Sequence, residues 1–305
     1  MKRRDFIGLT TLATGAAVLN PIAGTAQTTI PSEPVEPVWV PLTKEVKATR
    51  IGFGTGMKSW QRRGDMLRAG YPKSIELLRF AYDQGIRYFD CADLYGTHDM
   101  VAEALKDKPR DSYVLGSKLW LSPDNGIPEL ERLDPQITIK RFLRELRTDY
   151  IDVLQIHCAQ NDRWTQEYAD AMESMEKLKK AGIIRAHGIS SHSNASTELA
   201  AKTGWCDVVH ICINTEGIRV DGPADDPAAR VAQTARAAKK VHEAGKGIIA
   251  MKIMGQGDGG MSTDPEMRKR STKFVMELGC ANVMIVGFSE KEHITEFIAN
   301  VAAFS

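Results

Sequence analysis

The segment DPQITIKRFLRELRTDYIDVLQIH (134–157) decides how this chain folds. It opens with Asp134 and Pro135, an N-cap residue followed by the residue that favours the first helical position. It closes with IDVLQIH (151–157), a short and mainly apolar run that suits a strand buried on both faces. A helix that leads directly into such a strand is one repeat of a parallel α/β sheet.

The same alternation continues in both directions along the chain. Seven further runs look like buried strands: RIGFG (50–54), YFDCA (88–92), YVLGSK (113–118), IRAHGIS (184–190), VVHICIN (208–214), GIIAMKI (247–253) and VMIVGF (283–288). Amphipathic helical patterns lie between the strands and begin near Ser74, Asp134, Trp164, Asp226, Asp264 and Lys291. Eight strands that alternate with helices predict an α/β fold of the closed (β/α)8 TIM-barrel type, in a single domain.

A doubly wound open sheet is the alternative fold. Its first strand usually leads into a GxGxxG turn and then into a helix. In this chain the first strand leads into GFGTG (52–56), whose glycines are evenly spaced, and no clear helix begins in the following MKSW (57–60). The closed barrel is therefore the favoured architecture.

The first 26 residues have the pattern of an export signal. A charged opening is followed by a weakly apolar stretch and by GTA (24–26), whose small residues suit cleavage. The pair Arg3–Arg4 resembles a twin-arginine signal, which would direct the folded protein to the periplasm through the twin-arginine export machinery. We therefore divide the chain into a twin-arginine signal peptide (1–26), a linker and N-terminal extension (27–46) and a barrel (47–305), with no stable membrane span after cleavage.

Composition excludes several other classes of protein. The 305 residues include 40 basic and 39 acidic side chains, for a net charge of +1, and no basic block follows the first residues. A nucleic-acid-binding function is therefore not expected, because it requires a clustered cationic surface. The five cysteines contain no CxxC pair and the histidines no HExxH pair, so the sequence predicts no metal site and five free thiols.

Four polar side chains lie at the ends of three successive predicted strands, where the active sites of barrels are built. Asp90 and Tyr95 follow the second strand, Lys118 ends the third and His157 ends the fourth. A phenol needs help to donate a proton at neutral pH, and a nearby ammonium lowers its pKa. An Asp–Lys–Tyr set is thus suited to general-acid chemistry on a carbonyl, with His157 orienting the substrate oxygen and a carried cofactor supplying hydride.

These segments resemble the aldo-keto reductase family over about residues 47–302. GIRYFDCADLYG (85–96), SKLW (117–120) and DYIDVLQIH (149–157) match its Asp–Tyr, Lys and His motifs. The resemblance implies that Asp90, Tyr95, Lys118 and His157 form the catalytic tetrad, with Trp120 and His157 facing the substrate. It also implies a barrel and an NAD(P)(H)-dependent oxidoreductase that reduces an aldehyde or ketone to an alcohol, or the reverse.

The resemblance also implies where a dinucleotide would bind. NADP is favoured on family grounds, with NAD possible. The implied contacts are Gly54, Thr55 and Gly56 after the first strand, Ser190, Ser191 and His210 at the carboxamide, Met251 and Lys252 after the seventh strand, the amides of Gly255 and Gly257 at the pyrophosphate, and Ser289 and Lys291 at a 2′-phosphate. Ser191, His210 and Met251 stand where the family usually has Asn, Gln and Tyr.

Two functions from different classes stay open at this point. The intact tetrad favours an enzyme that acts on a small carbonyl or alcohol. The altered nicotinamide contacts leave room for a non-catalytic or sensing barrel that holds its dinucleotide tightly. For an exported enzyme, a third possibility is a tightly bound cofactor that a second substrate recycles in place.

Overall fold

The computed structural model describes residues 34–123, 127–223 and 225–305. In these residues eight parallel strands close into a barrel, namely β3 (Ile51–Gly54), β4 (Tyr88–Asp90), β5 (Val114–Leu119), β6 (Ile151–Ala159), β7 (Ile184–Ser191), β8 (Val208–Cys212), β9 (Gly247–Met251) and β10 (Val283–Val286). Their order around the barrel is β10-β3-β4-β5-β6-β7-β8-β9, with β9 paired to β10. Each lies within or overlaps one of the predicted runs, so the predicted closed (β/α)8 barrel is confirmed.

Helices surround the barrel and connect its strands. They are α1 (Asp65–Ala69), α2 (Tyr71–Asp83), α3 (His98–Leu105), α4 (Glu129–Leu133), α5 (Pro135–Leu146), α6 (Trp164–Glu167), α7 (Ala169–Lys180), α8 (Asn194–Lys202), α9 (Pro227–Glu243), α10 (Pro265–Glu277) and α11 (Lys291–Ala302). Asp134, Asp226 and Asp264 each accept a backbone N–H bond at the start of α5, α9 and α10. The three Asp–Pro helix starts predicted from sequence are therefore confirmed.

One predicted helix is divided in two. The sequence predicts a continuous helix from Trp164 to Lys180, but the backbone at Tyr168 leaves the helical region at φ −117° and ψ 23°. The Tyr168 N–H still donates to the Trp164 carbonyl, which closes α6 before α7 begins. The prediction of one continuous helix is wrong, because a turn at Tyr168 ends α6 and still pairs the Tyr168 N–H with a carbonyl oxygen.

A small antiparallel hairpin lies outside the barrel sheet. It pairs β1 (Trp39–Pro41) with β2 (Lys47–Thr49), so part of the segment predicted as a linker and extension (27–46) forms a strand. Leu42, Val46 and Ala48 are buried against the barrel interior. The hairpin therefore covers one end of the barrel. The expected signal peptide (1–26) lies outside the described residues.

Strand parity fixes which side chains enter the barrel. Tyr88, Val114, Val153, Ala186 and Val208 belong to the interior cluster that packs on the hairpin. Because successive side chains of a strand point to opposite faces, positions separated from these by two or four residues also point inward. Asp90, Lys118, His157, Ser190 and His210 all stand at such positions. The interior is thus apolar near the hairpin and polar at the carboxyl ends of the strands.

The five cysteines are all described and all unpaired, as predicted. Burial raises the pKa of the Cys91, Cys206 and Cys212 thiols to about 12. Protonated and buried, the Cys91 and Cys206 thiols pack as small apolar groups. Within the described part of the chain, none of the helices has both the length and the apolar character needed to cross a membrane.

Candidate active site

Asp90 and Lys118 form a buried ion pair at the carboxyl ends of β4 and β5. Lys118 Nζ donates to Asp90 Oδ2 at 2.5 Å and to the Cys91 carbonyl oxygen at 3.0 Å. The two side chains are 3% and 1% exposed. Burial raises the pKa of Asp90, but Lys118 and His210 outweigh that effect and the net pKa is lowered. Asp90 is therefore a carboxylate that fixes the Lys118 ammonium inside the barrel.

Tyr95 lies beside this pair on a short 3-10 turn, Asp93–Tyr95. The Lys118 ammonium is 5.0 Å from the centre of the Tyr95 ring. A Cβ atom at Gly56 would lie 2.4 Å from the ring, closer than any real contact. Glycine at position 56 is therefore required for the ring to lie where it does. The sequence predicted Gly56 as a cofactor contact, and the structure adds this steric role.

The pKa of Tyr95 is raised well above its ordinary value. Burial is the largest cause, and the negative charge of Asp90 adds to it. The expected lowering of this pKa is not what the structure shows, because burial disfavours the phenolate and the Asp90 carboxylate disfavours it further. Tyr95 is consequently held in its protonated form, which is the form that a general acid needs.

His157 completes the group predicted from the strand ends. Its ring lies 5.6 Å from that of Tyr95 and 5.4 Å from that of Trp120, both edge to face. Burial, Lys118 and neighbouring cationic groups lower the pKa of His157 well below its ordinary value. The imidazole is neutral, and its buried Nδ1 has no hydrogen-bond partner among the described residues.

An aromatic wall continues beyond His157. The Trp120 ring packs 5.2 Å from Trp60, which is 47% exposed and lies in the loop after β3. The family resemblance implies that Trp120 faces the substrate, whereas no role was predicted for Trp60. Its only sequence signal was a large aromatic residue in the loop that follows a barrel strand. Trp60, Trp120 and His157 together give the tetrad an apolar flank.

His210 is placed differently from its predicted role. We expected it at the carboxamide of a nicotinamide, but its Nε2 lies 3.2 Å from Asp90 Oδ1 and its side chain is fully buried. Burial lowers the pKa of His210 despite the nearby carboxylate, so the imidazole is neutral. Strand parity explains the difference, because positions 90 and 210 both point into the barrel. The structure thus gives Asp90 a second neighbour that the motifs did not reveal.

A cavity of about 310 Å³ begins at Tyr95 and Asp90 and runs along the ends of β3, β9 and β10. Several predicted cofactor residues line it, namely Gly54, Gly56, Met251, Lys252, Gly257 and Ser289. Met57 also lines it, although its side chain was not predicted to take part. The cavity therefore connects Asp90 and Tyr95 with the segments that follow β9 and β10.

Three predicted cofactor side chains are engaged or buried elsewhere. The Thr55 hydroxyl donates to the Asp90 carbonyl at 2.8 Å. The Ser191 hydroxyl donates to the Ser193 carbonyl and contacts the Ser196 and Thr197 hydroxyls at the start of α8. Ser191 faces outward because it follows an inward position on β7, so its hydroxyl does not replace the family's asparagine amide. Ser190 Oγ is buried and has no partner among the described residues.

The loop after β9 adopts a series of left-handed turns. Gly255 and Gly257 have φ values of 52° and 80°. Their N–H groups donate to the carbonyls of Lys252 and Met254 at 2.8 and 2.7 Å. The expectation that both amides are free for a pyrophosphate is therefore not supported, because the loop uses them to hold its own shape.

Lys291 lies away from the cavity. Its ammonium bonds to Glu76 of α2 and lies 5.5 Å from the Phe80 ring. The expected 2′-phosphate contact is therefore not supported, because the first turn of α11 presents this side chain to α2. The basic side chains that line the cavity are Lys58, Lys252, Arg268 and His293.

The family model named aldo/keto reductase matches residues 50–272. The chain belongs to the aldo/keto reductase family. The motifs that carry Asp90, Tyr95, Lys118 and His157 all fall inside the matched range. This membership agrees with the resemblance found in the sequence.

Curated aldo-keto reductases match part of the chain. The Bacillus subtilis aldo-keto reductase YhdN is 34% identical over 158 residues, which are 48% of this chain and 45% of YhdN. Mouse aldo-keto reductase family 1 member C21 is 29% identical over 188 residues, 54% of each chain. The chain thus spans about half the length of the curated relatives it matches.

Solved aldo-keto reductases share the fold over most of the chain. A Pseudomonas aeruginosa protein assigned to these enzymes has a TM-score of 0.68 at 21% identity and covers 91% of this chain and 99% of its own. An aldo-keto reductase from Klebsiella pneumoniae in complex with NADPH has a TM-score of 0.60 at 20% identity, over 88% of this chain and 90% of its own. At these identities the likeness establishes the (β/α)8 barrel fold and no more.

Proposed function

We propose that the chain is an NADP(H)-dependent oxidoreductase that interconverts small aldehydes or ketones and alcohols, with Tyr95 as the general acid. The observation that carries this proposal is the buried Asp90–Lys118 pair next to a protonated Tyr95 and a neutral His157. These four groups need neither a nucleophile nor a metal to polarise a carbonyl and protonate its oxygen. The aromatic wall of Trp60 and Trp120 supports a substrate with an apolar body.

In this proposal each of the four residues has one task in the reduction of the carbonyl group. The Tyr95 hydroxyl donates its proton to the oxygen as negative charge develops there. The neutral His157 imidazole donates a hydrogen bond to the same oxygen and fixes its direction. Lys118 stabilises the phenolate that remains, and Asp90 keeps the ammonium in place. A proton from solvent then restores the phenol.

The residues present suit a dinucleotide at the 310 Å³ cavity. Ser190 does not line this cavity, but its buried Oγ at the end of β7 has no partner among the described residues and can accept from or donate to a carboxamide. Gly54 and Gly56 line the cavity, and Arg268, held by Glu296 at 2.7 and 2.8 Å, lies on the cavity wall with Ser289. The dinucleotide, when bound, supplies the hydride for the carbonyl carbon.

The turnover number for carbonyl reduction is expected to be nearly independent of pH from about pH 6 to about pH 9. Tyr95 stays protonated because its pKa is raised above 10, and His157 stays neutral because its pKa is lowered below 6.5. Asp90 stays ionised because its pKa is lowered below 3.8.

The measurement is kcat against pH at saturating substrate and cofactor. A tenfold fall per pH unit above about pH 7 would instead show a Tyr95 with a lowered pKa. The charged and titratable groups that act on Tyr95 and His157 are Asp90, Cys91, Lys118, Cys158, His192, His210, Cys212 and Lys252.

The proposed function is tested by following NADPH and NADH absorbance with the purified chain and a panel of aliphatic and aromatic aldehydes and ketones. We expect NADPH oxidation that depends on the carbonyl compound. Mass spectrometry of nucleotide released on denaturation identifies any dinucleotide that remains tightly bound. Absence of turnover with every carbonyl, together with released nucleotide, would favour the non-catalytic dinucleotide-binding barrel.

We also propose that the chain is exported folded to the periplasm by the twin-arginine route. The support is the Arg3–Arg4 pair, the weakly apolar stretch and the GTA segment (24–26). Replacing Arg3 and Arg4 together by lysine is expected to leave the protein in the cytoplasm, because the paired arginines are the signal. Cell fractionation followed by immunoblotting measures this. Periplasmic recovery of the double variant would contradict the proposed route.

A further inference from the structure

Three side chains with metal-ligand atoms meet at the ends of β7 and β8. His192 follows β7, Cys212 is the last residue of β8, and Asp221 lies in the loop before α9. One ligand atom from each lies within 4.8 Å of the other two. The His192 Nδ1 and Cys212 Sγ atoms are 3.8 Å apart. None of the three belongs to the tetrad or to the predicted cofactor contacts.

We propose that His192, Cys212 and Asp221 form a binding site for a divalent transition ion of the zinc class. Imidazole nitrogen, thiolate sulfur and carboxylate oxygen are the donors that zinc takes in proteins. Zinc lies about 2.1 Å from nitrogen and about 2.3 Å from sulfur, so tetrahedral geometry separates two such ligands by roughly 3.6 Å. The distance between the His192 and Cys212 atoms is close to that separation. Three protein ligands leave a fourth position for water.

An ion can reach this cluster from solvent. His192 and Asp221 line a cavity of about 640 Å³ at the rim of the barrel. Cys212 is fully buried behind them, and its thiol would release a proton to solvent as it ligates. The ion would thus enter past the imidazole and carboxylate and meet the sulfur last.

Lys252 competes with the ion for the same place. Its Nζ lies 3.4 Å from His192 Nδ1, where it can donate to the neutral imidazole. Electrostatic repulsion disfavours an ammonium and a divalent ion beside the same imidazole nitrogen, so the Lys252 ammonium must move away when the ion binds. Lys252 also lines the cavity that contains Tyr95. Occupation of the site therefore changes the charge next to the proposed active site, although the metal site itself does not rest on the proposed function.

Sequence spacing did not reveal this site. Local zinc motifs place two ligands within a few residues, whereas these three ligands come from three segments that the closed barrel brings together. The sequence prediction of no metal site relied on the absence of CxxC and HExxH patterns. The barrel rim joins residues that are 9 to 29 positions apart.

The test is a titration of the full, chelator-treated chain with Co²⁺, followed by displacement with Zn²⁺. A cobalt–thiolate bond gives a charge-transfer band in the near ultraviolet, which reports ligation without any assay of activity. We expect the band in the natural chain and its loss in Cys212→Ser, with Zn²⁺ affinity at least about 100-fold weaker. Cys206→Ser is the matched control, because that thiol is also buried but lies before the start of β8, six positions from Cys212 in the sequence.

A second variant, Lys252→Met, is expected to change the Zn²⁺ affinity in the opposite direction. Lys252→Met removes the competing ammonium, so its Zn²⁺ affinity is expected to be at least about tenfold tighter than that of the natural chain. A band that survives in Cys212→Ser would overturn the proposal. So would a natural chain without the band, even if Lys252→Met alone acquires one. Circular dichroism confirms that each variant is folded before titration.

Discussion

Tyr95→Phe is expected to lower kcat for carbonyl reduction at least about 100-fold, which is the contribution of a positioned general acid. Phenylalanine keeps the ring that packs against Gly56 and His157 and removes only the hydroxyl. The NADPH dissociation constant is expected to change less than about twofold, because the fold of the cavity is preserved. Steady-state kinetics and a fluorescence titration of NADPH measure the two quantities.

Tyr82→Phe provides the matched control for this substitution. The Tyr82 hydroxyl bonds to the Ser112 hydroxyl at 2.8 Å, and the residue lies on α2 outside the proposed active site. Removal of this hydroxyl is expected to leave kcat unchanged. Full turnover by Tyr95→Phe would show that the acid is another group and that the tetrad interpretation is wrong.

Lys118→Met is expected to destabilise the folded chain by about 3–5 kcal/mol and to abolish measurable turnover. The substitution leaves the Asp90 carboxylate buried without the ammonium that bonds to it at 2.5 Å. Methionine has nearly the same length as the aliphatic part of lysine, so the loss reports the charge more than the packing. The change in the free energy of unfolding is measured from urea denaturation curves.

A double substitution separates the charge effect from simple damage. Asp90→Asn combined with Lys118→Met removes both charges, so most of the lost stability is expected to return while turnover stays absent. Lys73→Met is the surface control, because its ion pair with Glu290 is about half exposed and contributes at most about 1 kcal/mol. A double variant as unstable as Lys118→Met would contradict the account of the buried pair.

Much of the barrel and the tetrad was accessible from sequence for physical reasons. A strand buried on both faces must be apolar along its length, and an Asp–Pro pair starts a helix almost regardless of its surroundings. The strand ends could therefore be located, and with them Asp90, Lys118 and His157. The hairpin was missed because its three-residue strands contain Lys47 and Pro41 and have no apolar period.

The placement of the predicted cofactor side chains was harder to foresee from sequence because it depends on side-chain direction. Ser191 and His210 were assigned by their position along a motif, whereas strand parity sends one outward to α8 and the other inward to Asp90. Lys291 begins a helix, and the packing of that helix on α2 turns its ammonium to Glu76. Parity could have been applied to the strand residues in advance, but the rotation of α11 depends on tertiary packing.

The most direct test of the central claim is the fate of the hydrogen that leaves the cofactor. The purified chain is supplied with NADPH that carries deuterium at the transferable position and with a carbonyl compound that it turns over, and the alcohol is analysed by mass spectrometry. We predict one deuterium in each alcohol molecule formed by the natural chain and no labelled alcohol above background with Tyr95→Phe. A chain that binds NADPH but yields no labelled alcohol from any aldehyde or ketone would contradict the assignment of Asp90, Tyr95, Lys118 and His157 as the active site of a reductase.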